Sequence, residues 1–538
     1  MTAMRINRIM WMIPRCIRKI EPVKLIQVIT LLDSVNGMPG DQSSQDALYK
    51  ALEDLGVKSV RRGSGIANAG GFRTYLSLLE CLGFFAKVGK GEYVLTLAGE
   101  RMIKGDDPQL TLRVQLLRLQ YPSVYSSGAH VAIAPSVKVR PFLFLIDLMK
   151  DPRICSLSSE EAAIAVVYGR SHKSSDFEKC IQKIQRLRSG AQFSDLIDSE
   201  ADLATPRRRG GLNFMKLGCR DALDIGNTFI NYLKAANLVQ PKIEEKDGEA
   251  HDSRNSVILS NDSKTLTLID AIREEKPDFS PIDLKHATAW QLRFGRADRK
   301  KDTRNLGTRE KLRDASEALV SSAYWGDVKA NPLGFNHESF VRAASAKYGV
   351  PVSNVEAICA PFKTKVHNVE RAAVEAAAVS GGGESRLFEI AVCNIFSRLG
   401  FKVKDMAQAK PVGRMGGYPD VFLAPPECGF VDAKSSARYS FSIGDENKLK
   451  TYYHNCETEI DPNAKSGFFV YVAGGFGYDV TVQKSLSLCR SLYGRPVSAV
   501  CVRALLDLLE RKDRPDAMAL AKIFKNGVYI SSVTQLVP

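Results

Sequence analysis

A chain of 538 residues is long enough for about three or four domains of ordinary size. The hydrophobic fraction of 44% and the charged fraction of 25% are typical of a soluble globular protein. No uncharged apolar run reaches about 18 residues, which excludes a membrane span. The formal net charge of +15 favours a polyanionic partner, although a merely basic soluble protein would carry the same charge.

The cysteines and the opening segment indicate a cellular compartment. The 11 cysteines are scattered singly, without a Cys-x-x-Cys pair, so the sequence signals neither a zinc site nor a disulfide framework. The basic opening is interrupted by Pro14, Arg15 and Arg18, and no small-residue cleavage site follows it. We therefore expect a bacterial, cytoplasmic protein without a membrane partner.

Residues 1–135 follow the order of a winged helix-turn-helix. A helical stretch at 24–57 is followed by an amphipathic helix ending at Gly83 and by a hairpin over 84–97. Such a module lays its second helix in the major groove, with the hairpin beside the backbone. The alternative is a helical domain whose hairpin serves protein packing. The predicted DNA contacts in this segment are Arg61, Arg62, Arg73, Lys87 and Lys90.

Residues 136–280 repeat this order loosely and predict a second winged-helix-like domain. A capping box at Ser158 opens one helix, and a basic run precedes another helix at 220–237. The hairpin that follows has an acidic, polar tip at 244–255, which phosphate would repel. We therefore expect this domain to act through its helix or by packing on the first. The predicted DNA contacts are Arg207, Arg208 and Arg209.

Residues 281–383 are mostly helical and polar, and we predict a linker. Six cations against two anions lie between positions 293 and 304, and we predict backbone phosphate contacts from Arg293 and Arg296. The equally open alternative is an ordinary solvated loop. Glycines at 381–383 predict a flexible hinge, with a domain boundary beside it.

The texture changes to α/β over 384–538. We predict strands at 401–403, 419–423, 429–433 and 468–473, and helices at 384–399, 445–458, 481–493 and 503–511. The apolar run at 468–472 suits a strand that is buried on both faces.

Two aspartates in neighbouring predicted strands suggest a phosphodiesterase site. Asp420 and Asp432 could supply the carboxylates that Mg²⁺ prefers, with the carbonyl of Ala433 as an additional ligand. Because strand side chains alternate, Asp432 and Lys434 share one face, while Ala433 points into the core. Lys434 could then orient or deprotonate the attacking water, or stabilise the developing charge. The alternative is a pair of strand-end aspartates and a surface lysine.

Glu389 is the fourth candidate for the site. It lies on a helix whose neighbours at i+3 and i+7 are Val392 and Phe396. A carboxylate on an apolar stripe is costly unless it is paired or bound to a metal. The alternative is that Glu389 forms a salt bridge with Arg386.

The arrangement Pro419-Asp420 … Asp432-Ala433-Lys434 resembles the PD-(D/E)xK nuclease signature. Residues 384–538 as a whole are similar to the cleavage domain of FokI-like type IIS restriction endonucleases, whose recognition and cleavage domains are separate. The resemblance implies that Asp420 and Asp432 bind Mg²⁺, that Lys434 is the catalytic lysine and that Glu389 is a supporting acid. Further matching landmarks are Leu387-Phe388-Glu389, Gly416-Gly417, Ser442-Ile443-Gly444 and Phe524-Lys525-Asn526-Gly527.

One departure from that family concerns the cutting of the second strand. The family pairs two cleavage domains through an aspartate and an arginine one turn apart, and the matching positions are Asn447 and Thr451. Dimerisation would then use other contacts, such as Lys448 or Asp445, or a different subunit. The expected partners are double-stranded DNA and a transient homodimer or second nuclease subunit. The resemblance also implies a cognate DNA methyltransferase in the host.

We therefore predict a multidomain α+β protein with tandem winged-helix-like DNA-recognition domains, a helical linker and a C-terminal α/β PD-(D/E)xK nuclease domain. The predicted function is that of a Mg²⁺-dependent, sequence-specific type IIS endonuclease that cuts at a fixed offset from an asymmetric site. Two alternatives stay open. One is a nicking enzyme or the large subunit of a heterodimeric nuclease, and the other is a winged-helix regulator with an inactive nuclease fold. No use of ATP is expected, because glycine follows Gly89-Lys90 where a Walker A loop needs Ser or Thr.

Overall fold

The computed structural model divides into two compact units. The N-terminal unit comprises Met1–Gln240, Asn255–Gly326 and His337–Asn368, and the C-terminal unit comprises Pro241–Arg254, Asp327–Asn336 and Val369–Pro538. The structure describes residues 9–15, 20–35, 41–57, 72–88, 92–127, 133–198, 214–246, 249–297, 302, 304, 315–380, 384–409, 416–441, 443–462, 467–477 and 479–537.

Helices dominate the chain up to residue 359. They are α1 (Pro22–Ser34), α2 (Gln42–Asp54), α3 (Phe72–Cys81), α4 (Leu97–Ile103), α5 (Pro108–Arg118), α6 (Pro141–Lys150), α7 (Ser159–Tyr168), α8 (Ser174–Arg188), α9 (Phe214–Ala235), α10 (Ser263–Glu274), α11 (Ala287–Phe294), α12 (Ala315–Ala330), α13 (His337–Tyr348) and α14 (Val352–Cys359). The strands are β1 (Phe85–Val88), β2 (Glu92–Leu95), β3 (Leu157–Ser158), β4 (Val239–Lys246) and β5 (Glu249–Leu259).

Helices and strands alternate in the rest of the chain. The helices are α15 (Val366–Ser380), α16 (Ser385–Arg398), α17 (Met406–Ala409), α18 (Ile443–Asn455), α19 (Asp479–Tyr493), α20 (Val502–Leu509) and α21 (Ala517–Phe524). The strands are β6 (Lys402–Asp405), β7 (Val421–Ala424), β8 (Gly429–Ala433), β9 (Phe468–Ala473), β10 (Val497–Cys501) and β11 (Tyr529–Ile530). None of the helices in the described segments combines the length and the apolarity that crossing a membrane requires.

The first helix–helix–hairpin module forms as the sequence predicts. Asp41 caps α2, because its side chain accepts a hydrogen bond from the Ser44 N–H at 2.7 Å. Beyond α3, Gly83 has a φ of +77°, a left-handed conformation that favours glycine. β1 and β2 pair antiparallel, and Thr96 caps α4 by accepting a hydrogen bond from the Gly99 N–H. The predicted turn between the two strands lies outside the described residues.

The second module also has two helices and a hairpin. Ser158 and Glu161 form the predicted capping box at the start of α7. α9 lies close against α7 at Gly226, where a Cβ atom would come within 2.6 Å of the Ser159 carbonyl oxygen. The prediction of a polar tip at 244–255 is wrong, because most of that segment belongs to β4 and β5. Antiparallel pairing satisfies the backbone groups of a strand whatever its side chains are, so the arms extend beyond the apolar pattern.

The segment predicted as a linker carries part of the core of the N-terminal unit. Tyr324 packs edge-on against Trp325 and Phe340, with ring centroids 5.2 and 5.1 Å apart, and Phe362 is buried beside Trp325. The predicted glycine hinge at 381–383 lies outside the described residues. The predicted boundaries at 135, 280 and 383 stay predictions.

A six-stranded sheet organises the C-terminal unit, in the order β11-β10-β9-β8-β7-β6. β6, β7 and β8 pair antiparallel, whereas β8, β9, β10 and β11 pair parallel. Every residue of β9 is buried, as the apolar run predicts. The predicted mixture of a helical first part and an α/β last part is confirmed.

Alternate side chains of the sheet enter two cores on opposite faces. Val421 and Val431 pack in the same core as side chains of α16, α20 and α21. Phe422, Phe430 and Tyr471 pack in the other core, with side chains of α18 and α19. The period of two along β8 therefore directs residues 430 and 432 to the α18 face.

Two strands of this sheet are missing from the sequence analysis, β10 and β11. β10 is a short apolar run that continues directly into α20, and the period of so short a run does not separate strand from helix. Its pairing decides the conformation, since Val497 to Cys501 align with Phe469 to Ala473 of β9.

Candidate active site

The register of β7 and β8 brings the two predicted aspartates together. Val421 is paired with Val431 and Phe422 with Phe430. One step further along the same antiparallel register, Asp420 stands opposite Asp432. Asp432 is the penultimate residue of β8 and is 2% exposed. The 12-residue spacing in the sequence thus becomes a direct juxtaposition at one end of a strand pair.

Asp420 is held by the backbone of the neighbouring strand. Its Oδ2 atom accepts a hydrogen bond from the Ala433 N–H at 2.7 Å. Burial raises the pKa of the Asp420 carboxyl well above its usual range, and the charge of Asp432 and then that of Glu389 raise this pKa further. The hydrogen bond from Ala433 works in the opposite direction. Two carboxylates therefore compete for one buried space.

Lys434 joins the site on the face that the strand period predicts. Its Nζ atom lies 2.5 Å from Oδ2 of Asp432, and Ala433 between them packs against the other core. Burial alone would lower the pKa of Lys434, but the nearby Asp432, Asp420 and Asp445 carboxylates raise it above its ordinary value. The ammonium form is therefore stabilised in this arrangement.

Glu389 lies on α16 and forms the salt bridge that the sequence analysis left open. Arg386 Nη1 donates to Glu389 Oε2 at 2.9 Å, and the same guanidinium also pairs with Asp405 at the end of β6. Glu389 nevertheless acts electrostatically on Asp420. The side chain thus has an arginine partner and lies at the margin of the acidic pair.

Three side chains close to the site, Tyr439, Asp445 and Tyr452, were not among the predicted site residues. Asp445 is 3% exposed and hydrogen-bonds the Tyr439 hydroxyl. Burial raises the pKa of Tyr452 well above its usual range, and Asp432, Asp420 and Asp445 add to that shift. Asp445, Leu449 and Tyr452 follow the i, i+4, i+7 pattern of one helix face, which is the signal that could have found them.

The suggestion that Asp445 serves dimerisation is wrong. Its side chain is buried toward Lys434 and Tyr439, because the inner face of α18 packs against the sheet. Lys448 is exposed, with its ammonium 3.6 Å from Asp445 Oδ1, and Thr451 is also exposed. The side chain of Asn447 lies outside the described residues. The outer face of α18 therefore presents lysine and threonine.

The predicted DNA contacts fall into three groups. Lys87 is exposed on β1. Arg293 Nη2 lies 2.6 Å from Asp278, and Arg296 Nη2 lies 2.9 Å from Glu275, so both guanidiniums are already paired with acids. The remaining predictions lie outside the described residues or, at position 73, have a side chain that does: Arg61, Arg62, Arg73, Lys90, Arg207, Arg208 and Arg209.

The donors at the Asp420–Asp432 pair fit a hard divalent cation. Mg²⁺ is often held by one or two carboxylates, with water in the other positions. Two buried carboxylates repel each other unless a cation compensates them, and Lys434 supplies one positive charge only. Within the described segments, no larger group of His, Cys, Asp or Glu side chains is placed to hold a metal. The carbonyl of Ala433 stays a predicted ligand.

Comparison with protein families identifies this region. Residues 355–528 match the family described as the cleavage domain of FokI. Over these residues the chain is similar to a FokI cleavage domain. The predicted resemblance to FokI-like type IIS restriction endonucleases is thereby confirmed, as is the predicted class of enzyme, a site-specific DNA endonuclease.

Solved structures give distant likenesses over longer stretches. The structure of the restriction endonuclease FokI is 12% identical, with 95% of this chain and 97% of that chain covered and a TM-score of 0.27. FokI bound to DNA is 11% identical, with 98% and 100% covered and a TM-score of 0.28. The BpuJ1 endonuclease binding domain with modified DNA is 16% identical, with 49% and 90% covered and a TM-score of 0.30. No curated protein matches the chain. The match of the cleavage domain therefore carries the assignment.

Proposed function

We propose that this endonuclease hydrolyses phosphodiester bonds of double-stranded DNA in a Mg²⁺-dependent reaction, at a fixed offset from an asymmetric recognition site. The observation that carries the proposal is the juxtaposition of Asp420 and Asp432 beside Lys434, inside the region that matches the FokI cleavage domain. Hydrolysis of a phosphodiester needs charge neutralisation, an oriented water and support for the leaving oxygen.

Each side chain has a distinct role in the proposed reaction. Asp420 and Asp432 would hold Mg²⁺, and Glu389 would support Asp420 from α16. When bound, Mg²⁺ would supply the positive charge that stabilises the scissile phosphate as negative charge develops on it. Lys434 would place its ammonium beside that phosphate and orient the attacking water. The Ala433 N–H fixes the Asp420 carboxylate, so that this ligand needs little reorganisation on binding.

Recognition of the site is assigned to the two helix–hairpin modules, which lie within residues 1–280. The modules differ in sequence and hairpin length, so together they suit an asymmetric site. Lys87 is an exposed cation on the described part of the first hairpin. A cell that holds such an enzyme must protect its own sites, so the proposal includes a cognate DNA methyltransferase.

Cleavage of a supercoiled plasmid tests this function. Incubation with Mg²⁺ should produce linear DNA whose sequenced ends lie at one distance from one asymmetric sequence, and EDTA should abolish the cleavage. DNA binding without cleavage in Mg²⁺ would contradict the proposal and favour the alternative of a DNA-binding regulator.

A second candidate, strand-specific nicking, is favoured by one observation. The positions that match the family's dimerising Asp and Arg are Asn447 and Thr451, and Thr451 is exposed on α18. Without that ion pair, a single cleavage domain could cut one strand or require a second nuclease subunit. Open-circular plasmid that never becomes linear, even at high protein concentration, would support nicking.

A further inference from the structure

Asp445 is the buried acid for which the proposed reaction has no role so far. It lies in the first turn of α18, and Leu449 and Tyr453 continue the same buried face toward the sheet. An aspartate in the first turn of a helix is favourable for the helix dipole at an exposed position. The helix dipole therefore does not explain why Asp445 is buried. A carboxylate that is 3% exposed has lost most of its contact with water, which costs free energy.

Tyr439 connects Asp445 to the catalytic lysine. The Tyr439 hydroxyl hydrogen-bonds the Asp445 carboxylate, and its ring centroid lies 5.9 Å from Lys434 Nζ. The same ammonium is also 5.9 Å from the ring centroid of Tyr471, which Tyr439 stacks upon at 6.0 Å. The lysine head group thus lies between an acidic pair and two aromatic rings.

The backbone keeps Tyr439 in this position. Its N–H donates to the Gly475 carbonyl oxygen at 2.8 Å, and its own carbonyl accepts a hydrogen bond from the Gly477 N–H at 3.1 Å. Gly475 also lies so close to this segment that a Cβ atom would come within 2.4 Å of the Ala437 carbonyl oxygen. The segment after Lys434 is therefore tied to the end of β9, which limits where the Tyr439 hydroxyl can point.

The position of Lys434 poses a problem for the proposed reaction. Its ammonium lies 2.5 Å from Asp432 Oδ2, an oxygen that would be a ligand of bound Mg²⁺. Once Asp432 serves the cation, the lysine needs another anionic anchor to stay beside the phosphate. Asp445 acts electrostatically on Lys434 and hydrogen-bonds the hydroxyl of Tyr439, whose ring lies beside that ammonium.

We propose that Asp445 is a positioning residue, which acts with Tyr439 to hold the Lys434 ammonium in the active site when Asp432 binds the metal. The inference rests on the proposed Mg²⁺-dependent cleavage. Asp445 itself contacts neither metal nor DNA in this proposal. Loss of the Asp445 carboxylate therefore lowers the rate of the chemical step and leaves the binding of metal and of DNA unchanged.

The direct test is Asp445→Asn in single-turnover cleavage of a plasmid at several Mg²⁺ concentrations. Loss of a group that orients a catalytic side chain typically costs about 10- to 100-fold in activity. We expect a rate reduced by that factor, an unchanged half-saturating Mg²⁺ concentration and unchanged DNA affinity. Tyr439→Phe should give a smaller loss, and the double variant should be no slower than Asp445→Asn, because both act through one hydrogen bond.

Asp513→Asn is the matched control. It makes the same chemical change at an exposed aspartate of the C-terminal unit, which pairs with Arg511, and should leave cleavage at the wild-type rate. Asp445→Asn cleaving as fast as wild type would overturn the proposal, and so would a raised half-saturating Mg²⁺ concentration, which would make Asp445 a metal ligand. If Asp445→Asn unfolds the protein, Asp445→Glu provides the second test. This variant keeps the negative charge and should recover part of the cleavage rate. A wild-type protein that does not cleave in Mg²⁺ would instead refute the proposed function.

Discussion

Two clusters of charged side chains, one in each unit, differ in how their charges are balanced. In the N-terminal unit, Glu275 lies 2.6 Å from Arg118 and 2.9 Å from Arg296, and its backbone carbonyl accepts a hydrogen bond from Arg140 at 2.6 Å. Burial alone would raise the pKa of Glu275, but these arginines hold it below its usual value. In the C-terminal unit, Asp420 faces Asp432, and its pKa is raised.

This contrast separates a charge cluster that the protein balances itself from an acidic cluster that it balances only in part. Around Glu275 the cations outnumber the acid and donate hydrogen bonds to it and to nearby carbonyls, so the cluster is complete within the protein. Around Lys434 three acids, Asp420, Asp432 and Asp445, act on one buried ammonium, and Lys448 adds an exposed ammonium 3.6 Å from Asp445. The net charge of the sequence does not reveal this difference between the two clusters, because the chain as a whole is basic.

Removing Glu275 should produce the largest change in stability. Glu275→Ala leaves Arg118 and Arg140, both buried, without their acid, and breaking such a cluster typically costs about 3–5 kcal/mol. We expect a marked fall in the denaturation midpoint of the N-terminal unit. Tryptophan fluorescence reports this unit selectively, because Trp11, Trp290 and Trp325 all belong to it.

Glu178→Ala provides the control for that comparison. Glu178 pairs with Arg153 at 2.8 Å, but both side chains are exposed, so its loss should leave the denaturation midpoint close to that of the wild type. Equal midpoints for the two variants would show that the Glu275 cluster is not a structural junction.

Neutralising Asp420 should increase stability, in contrast to the loss of Glu275. Because the folded-state pKa of Asp420 is raised, its ionisation destabilises the metal-free fold, and stability is lost as pH rises through that pKa. Asp420→Asn should therefore raise the melting temperature of the C-terminal unit in EDTA by about 2–4 °C per kcal/mol gained and remove this pH dependence. Calorimetry at pH 5 and pH 8 measures both effects. If Asp420→Asn melted at a lower temperature than the wild type at pH 8, the idea of unbalanced charge at this site would be contradicted.

The smallest expected effects concern DNA contacts of the N-terminal unit. Lys87→Ala should reduce the slope of log affinity against log salt by about 1, the value for one phosphate contact. Arg293→Ala should leave the slope unchanged, because its guanidinium is engaged by Asp278. Titrations between low and moderate salt compare the two. A reduced slope for Arg293→Ala, together with an unchanged slope for Lys87→Ala, would assign the phosphate contact to Arg293.

The sequence predicts the geometry of the candidate site well because that geometry is local. The strand period fixes that Asp432 and Lys434 share a face, and a short connection forces β7 and β8 to pair, so Asp420 must meet Asp432. The cap at Asp41 and the predicted capping box at Ser158 are equally local.

Features that depend on distant partners were not predictable in this way. Asp445 reaches Lys434 only because α18 folds back over the sheet, and β10 is a strand only because β9 lies beside it. Arg296 and Glu275 are 21 residues apart in the sequence, and no local pattern announces that pairing. A basic segment therefore looks the same in the sequence whether its cations bind DNA or the protein's own acids.

Cleavage by Asp432→Ala tests the central claim most directly. Asp432 is the acid that both proposed roles share, as metal ligand and as partner of Lys434. The lost charge stabilisation of several kcal/mol should slow plasmid cleavage in saturating Mg²⁺ by about 10³-fold or more, with DNA binding retained. Asp513→Ala, which removes an exposed aspartate of the same unit, should cleave at the wild-type rate. Wild-type cleavage by Asp432→Ala would contradict the account.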